Sequence, residues 1–269
     1  IHAHKRNILF AGPTGCGKTE IWRVMSRLYP NIMIIDSTML TMQGWSGSFK
    51  VRDIFSSMSQ EEAEKAIIVS DEFDKFCEPL YGSNGTNYGA AAQNELLKLI
   101  EGGQIYFPAD KGKPALELDS SGISFVFCGS FERLTDVKTE SESSMGFGNK
   151  IQKKDAYVQY EKEITVEDLV RYAGIRQEIG GRRNMKKKLQ GMTAEDYKKI
   201  LQDKTISPLH QLERQYGVKL RLGEREREKL AQEAERTKMG VRYLRSKIQQ
   251  MLDEQLSQND EQDEYELEL

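Results

Sequence analysis

Residues 12–19 read Gly-Pro-Thr-Gly-Cys-Gly-Lys-Thr, and no other stretch of the chain restricts the fold as much. Gly12, Gly15 and Gly17 permit backbone conformations that turn several N–H groups toward one point, which is how a loop cradles phosphate oxygens. Such a loop belongs between a buried strand and a helix N-terminus, whose free donors and dipole favour an anion. Both flanks are present: Asn7-Ile8-Leu9-Phe10-Ala11 is a short apolar run, and 19–28 reads as a helix with Ile21, Val24, Met25 and Leu28 on one face. Gly12, Pro13, Thr14, Gly15, Cys16, Gly17, Lys18 and Thr19 are therefore expected to bind a nucleoside triphosphate, ATP with Mg²⁺. Lys18 reaches the β- and γ-phosphates in this pattern, and the Thr19 hydroxyl ligates the metal.

Further apolar runs at 32–35, 66–69 and 123–128 alternate with helical patterns, notably 93–100. Strands alternating with helices predict an α/β domain with a mainly parallel sheet. The run Ile67-Ile68-Val69-Ser70-Asp71-Glu72 ends in two carboxylates, the Walker B pattern. Asp71 is expected to hold Mg²⁺, largely through water, and Glu72 to polarise the attacking water. Ser70 stands where an apolar residue is usual.

After about residue 184 the pattern turns helical, over 194–202, 208–216, 224–238 and 241–257, with a short strand at 218–222. The expected division is a large α/β nucleotide-binding domain over 1–184, a smaller, mostly helical domain over 185–257 and an acidic tail over 258–269. The basic run 182–188 is expected to be solvated surface. Residues 253–269 carry eight acids and no base and are expected to fray. Two arginines sit at domain edges. Arg182 closes Glu178-Ile179-Gly180-Gly181-Arg182, where an arginine finger reaches a neighbouring subunit's γ-phosphate. Arg242 opens the last helix, placed to contact the same nucleotide from the small domain.

A net charge of −3 gives no electrostatic case for nucleic acid. No run of about eighteen apolar residues is available for a membrane span. The first residues lack an apolar signal segment and an initiator Met, so the chain is expected to begin inside a longer protein. Cys16, Cys77 and Cys128 are far apart, which argues against a disulfide framework or a zinc site and for the reducing cytoplasm.

In this order the segments resemble the AAA+ ATPases, and among them the ClpX-type protein unfoldases, over nearly the whole chain. The strings that carry the resemblance are Gly12 to Thr19, Val69 to Lys75, Leu96 to Gly102, Phe127-Cys128-Gly129 with Ser130-Phe131, and Gly240-Val241-Arg242 with Leu244-Arg245-Ser246. The related HslU unfoldases share the glycine-rich loop but carry an inserted domain for which this chain has no room. The resemblance implies a homo-hexameric ring that pulls protein substrates through a central pore, with a ClpP-type peptidase as a further partner. Gly44, Trp45, Ser46 and Gly47 fall at the family's aromatic pore loop, and Met145, Gly146 and Phe147 resemble the loop that docks on the peptidase. Ser130 and Cys128 are both candidates for the sensor-1 position. There are departures. No counterpart of the zinc-binding N-terminal domain lies within these residues, and the adenine-contacting segment before Asn7 is missing or shortened. The basic pore-entrance loop has no match at 108–114, nor the second pore loop at 85–92. Arg176-Gln177 replaces an Ile-Pro pair. Two other readings remain: a nucleic-acid motor, which would need a basic, aromatic-lined channel, and an ATP-switched binding module without processive work.

Overall fold

The structure, a computed structural model, describes residues 5–41, 49–81, 85, 87–110, 112–132, 164–182, 185–258 and 263–267. The chain divides into two compact units: Ile1–Gly12 with Lys18–Leu189, and Pro13–Gly17 with Gln190–Leu269. The strands in chain order are β1 Ile8–Ala11, β2 Ile32–Asp36, β3 Leu40–Thr41, β4 Phe49–Lys50, β5 Ile67–Asp71, β6 Gln104–Phe107, β7 Leu116–Asp119, β8 Ser124–Gly129, β9 Met185–Lys188, β10 Lys219–Leu222 and β11 Glu264–Leu267.

Five of them form one parallel sheet in the order β2-β5-β8-β1-β9. Parallel strands must be covered on both faces, and the residues alternate accordingly. On β8, Phe125 and Phe127 join the larger core with Phe73, Leu96, Leu99 and Leu169, while Val126 and Cys128 join Phe10, Ile32 and Val69 on the opposite face. Helix α1, Lys18–Leu28, covers that second face through Trp22 and Met25, with Trp22 edge-on to Phe10. The expected apolar stripe of α1 is only partly used: Ile21, Val24 and Leu28 are exposed. α2 (Gln60–Glu64), α3 (Phe73–Phe76) and α4 (Tyr88–Glu101) follow in the first unit, α2 and α4 opened by side-chain caps from Ser59 and Asn87. Gln93, buried in α4, donates to Gly174 O and accepts from Arg176 N–H, each at 3.0 Å. It ties α4 to the short helix Gln177–Gly181 that leads into Arg182.

Two expectations about the C-terminal half are corrected. The basic run is not all free surface: Met185–Lys188 is the fifth strand, paired in parallel with β1, and Leu189 N–H continues the ladder to Ala11 O. The division between units therefore falls after Leu189, not after 184. Lysines are tolerated there because β9 is an edge strand, where charge discourages pairing with another chain. Nor is the acidic end all tail. Glu264–Leu267 pairs with β10 in the register Lys219↔Glu264, Leu220↔Tyr265, Arg221↔Glu266, Leu222↔Leu267. One face of the ribbon is apolar and buried; the other sets basic residues of β10 against acids of β11.

The rest of the second unit is helical as expected, with Ala194–Gln202, Pro208–Tyr216, Glu224–Thr237 and Val241–Gln258 around Leu212, Leu230, Leu244, Ile248 and Leu252. Leu267 is 1% exposed, so Leu267→Ala is expected to lower the unit's unfolding free energy by about 2–4 kcal/mol. Glu266→Gln, on the solvated face, is expected to stay within about 0.5 kcal/mol. Urea unfolding followed by circular dichroism measures both; equal stabilities would mean that the segment is a tail after all.

Candidate functional site

The chain leaves β1 toward β2 on one side and leaves β8 toward β9 on the other, although β1 and β8 are neighbours. Such a reversal opens a crevice beyond the carboxyl ends of the two strands, where parallel α/β sheets bind ligands. The glycine-rich loop starts there, with Gly12 N–H donating to Gly129 O at 3.3 Å. Gly15 and Gly17 have φ of 77° and 88°, left-handed values that favour glycine, and Cys16 N–H closes a turn on Pro13 O at 3.3 Å. Lys18, the first residue of α1, folds back so that Nζ donates to Gly12 O at 2.7 Å.

Thr19 and Asp71 come from different strand–helix units, 52 residues apart, and meet: Thr19 Oγ1 donates to Asp71 Oδ2 at 2.6 Å. The other oxygen, Oδ1, accepts the N–H of Glu72 at 3.1 Å. Among the described residues no three His, Cys, Asp or Glu side chains converge on a metal position. One hydroxyl beside one carboxylate nonetheless fits Mg²⁺, which keeps waters and takes further oxygens from phosphate instead of a protein cage. Glu72 follows with φ of 52°, a costly conformation for a residue with a Cβ, and of the kind concentrated at functional sites. Its carboxylate pairs with Lys75, whose Nζ lies 2.9 Å from Oε2. That hydrogen bond pushes the Lys75 ammonium above its ordinary pKa.

Two features could not be foreseen. Ser70, the departure inside the Walker B strand, is fully buried and shares a 2.5 Å hydrogen bond with the equally buried Ser37, so its hydroxyl is satisfied without solvent. Asp74 organises the end of β8: Oδ2 accepts from Ser130 Oγ at 2.8 Å and from Phe131 N–H at 3.0 Å. A Cβ on Gly129 would come within 2.6 Å of the same carboxylate, which explains a glycine in that strand. Of the two sensor-1 candidates, Cys128 is buried in the sheet, and Ser130 lies just past the strand end at the crevice.

Arg182 is elsewhere. Asn7 Nδ2, immediately before β1, donates to Arg182 O at 3.1 Å, whereas the phosphate loop begins after Ala11 at the other end of that strand. Four residues at about 3.3 Å each put roughly 13 Å of strand between the two. The Arg182 guanidinium pairs with Glu101 at 3.0 Å. Near it, Lys5 Nζ donates to Leu99 O and Ser120 O, at 2.6 and 3.0 Å. Arg242 is exposed in the first turn of the helix Val241–Gln258, in the second unit. Gly44, Trp45, Ser46 and Gly47, like Met145, Gly146 and Phe147, lie outside the described residues.

Residues 8–135 match the family described as "ATPase family associated with various cellular activities (AAA)". Residues 192–266 match the "C-terminal, D2-small domain, of ClpB protein". The chain is similar to the ATP-dependent Clp protease ATP-binding subunit ClpX of Treponema denticola, 29% identical over 270 residues. That similarity takes in 92% of this chain, which spans 64% of the relative's length.

Thr19→Val is expected to weaken nucleotide binding by about 10- to 100-fold in Mg²⁺ and much less in EDTA, read by titration with a fluorescent nucleotide. An equal loss in both would mean that Thr19 serves the loop and not a metal. A second expectation concerns pH. Burial first, and the like charge of Arg182 second, push Lys5 down from 10.5 to about 8, against the pull of Asp119. Between those values the unfolded chain holds the proton and the folded chain does not, so this contribution to stability rises with pH and is complete above the unfolded value. Discounted for the solvent still reaching the amine, the advantage of wild type over Lys5→Met should grow by about 1–2 kcal/mol from pH 7.5 to 10. A flat difference in urea unfolding would remove the desolvated amine.

Proposed function

The chain belongs to the AAA+ ATPases and is ClpX-like among them, and on that premise we propose that it is a subunit of a homo-hexameric ring that hydrolyses ATP to unfold protein. What carries this is the division of one catalytic set between the two ends of a single sheet. Lys18, Thr19, Asp71 and Glu72 gather at the carboxyl ends of β1 and β5, and Arg182 is held at the opposite end of β1 by Asn7. An arginine at that distance serves a nucleotide on another copy, so the site is incomplete without a neighbouring subunit.

In this reading the loop N–H groups and the α1 N-terminus hold the phosphates, and Lys18 Nζ moves from Gly12 O onto their outer oxygens. Thr19 and Asp71 would hold Mg²⁺, which neutralises charge on the β- and γ-phosphates. Glu72, next in the chain, accepts the proton of the attacking water, exchanging its contact with Lys75 for one with that water. The partner copy's Arg182 leaves Glu101 to meet charge developing on the γ-phosphate. The resemblance assigns Arg242 to nucleotide sensing in this reading, and Ser130, held by Asp74, to the sensor-1 position. Trp45 grips polypeptide without reading its sequence. Met145-Gly146-Phe147 docks on a ClpP-type peptidase, consistent with the relative's description as a protease's ATP-binding subunit. Among the described residues no helix is long and apolar enough to cross a membrane. In this reading the ring works in the cytoplasm, the compartment that the widely spaced Cys16, Cys77 and Cys128 favour.

The test is ATP hydrolysis and unfolding of a fluorescent model protein by the full-length protein and three variants. Glu72→Gln is expected to lose about 10²-fold or more in kcat while still binding nucleotide. Arg182→Ala is expected to lose about 10³-fold and to depress wild-type subunits mixed with it, because the residue acts across the interface. Trp45→Ala should retain ATPase activity and lose unfolding. Stimulation of hydrolysis by DNA and not by unfolded protein would replace the proposal with a nucleic-acid motor. Nucleotide-dependent assembly without unfolding would replace it with a binding module.

A further inference from the structure

Three charged residues at the end of β4 and in the turn that follows it are buried: Lys50, Arg52 and Asp53, at 9%, 7% and 9% exposure. Buried charges persist where ion pairs and hydrogen bonds satisfy them. Here most of the satisfying groups come from one place, the loop between β6 and β7. Lys50 Nζ donates to Asp110 Oδ2, and Lys113 Nζ donates to Asp53 Oδ1 at 2.6 Å, so each segment supplies both a cation and an anion. The Arg52 guanidinium spans both legs of the loop, donating through Nη1 to Pro108 O and through Nη2 to Pro114 O, the latter at 2.6 Å. The loop is also closed on itself: Asp110 N–H donates to Lys113 O at 3.1 Å and Lys113 N–H to Asp110 O at 2.8 Å. The second Asp53 oxygen accepts the N–H of Lys50 at 3.0 Å. Burial alone would raise the Asp53 carboxyl, but the Lys113 and Lys50 hydrogen bonds outweigh it and hold the pKa below its ordinary value.

The turn, Val51–Phe55, follows directly on β4. Among the described residues β4 pairs in parallel with β3 at two positions, Leu40↔Phe49 and Thr41↔Lys50. Between those strands in sequence lie residues 42–48, which include Trp45. A ladder of two residues is a weak anchor, since even whole two-stranded ribbons are marginal in water. The charged clamp begins at its last residue, Lys50, and extends the anchorage into the β6–β7 hairpin.

We infer that Lys50, Arg52, Asp53, Asp110 and Lys113 are positioning residues that make the root of the 42–48 stretch and the 108–114 loop one mechanical body, so that load taken by Trp45 from a polypeptide reaches the hairpin instead of shearing β3 from β4. This rests on the assignment of Trp45 made above. The hydrogen bonds of the clamp run between the turn and the β6–β7 loop, so its expected effect is on how much work each ATP delivers and not on hydrolysis itself.

The experiment uses the full-length protein with Asp110→Asn and Lys113→Gln, each removing one ion pair, and Asp110→Glu, which keeps the charge. The readouts are ATP hydrolysis, model protein unfolded per ATP, and hydrogen exchange over 49–55 and 108–114. Each neutral variant is expected to keep ATPase activity within about twofold and to lose about fivefold in protein unfolded per ATP, with exchange rising in both segments together. Asp110→Glu should restore the yield. A wild-type yield per ATP in both neutral variants, or exchange rising in one segment alone, overturns the inference. A wild type that hydrolyses ATP but unfolds nothing overturns the reading of function, and the load-bearing role of the clamp with it.

Discussion

A parallel strand buried in the middle of a sheet has two chemically different ends, and the rest of this molecule follows from that. β1 lies between β8 and β9. At its carboxyl end the backbone turns into the phosphate loop. At its amino end Asn7 uses its amide in both directions, donating to Arg182 O and accepting from Phe125 N–H at 3.3 Å. Asn7 is itself buried, so leaving either end of its amide unpaired would cost about 1–3 kcal/mol. The same strand that runs into the phosphate loop at one end therefore fixes the backbone of Arg182 at the other.

Polar groups inside the first unit serve to place others. Asp74 holds Ser130 and Phe131 at the mouth of the crevice, and the space it needs is the side chain that Gly129 lacks. Gln93 satisfies the backbone on both sides of residue 175 and so sets the approach to Arg182. The Lys50–Asp53 turn fastens a hairpin in the same manner. In each case the residue acts through its neighbours' backbone or charge, and substitution would be felt as misplacement before it was felt as loss of stability.

Much of this was legible in the sequence, and the reason is periodicity. The strand–loop–helix of 8–28 and the apolar strand ending at Asp71 announce themselves because each is a contiguous pattern with one physical meaning. The helices 194–202 and 208–216 were legible in the same way, from apolar residues recurring about once per turn. The hairpin Gln104–Phe107 with Leu116–Asp119 was not, since its strands are short and only Leu118 is fully buried.

Where the structure departs from the sequence pattern, charged residues belong to paired strands and not to solvated surface. Met185–Lys188 carries three lysines and is a sheet strand because an edge strand next to β1 needs backbone pairing on one side only. Glu-Tyr-Glu-Leu at 264–267 alternates with the period of a strand, but its acids dominate until Lys219 and Arg221 are seen beside them. The sequence by itself determined the ligand chemistry and the kind of domain, because a phosphate cradle and a parallel sheet are written in local patterns. Only the tertiary structure decided that Thr19 meets Asp71, that Arg182 is fastened at the amino end of β1, and that Lys50 and Asp53 are buried against Asp110 and Lys113. Those are meetings between residues far apart in the chain, and no local pattern encodes them.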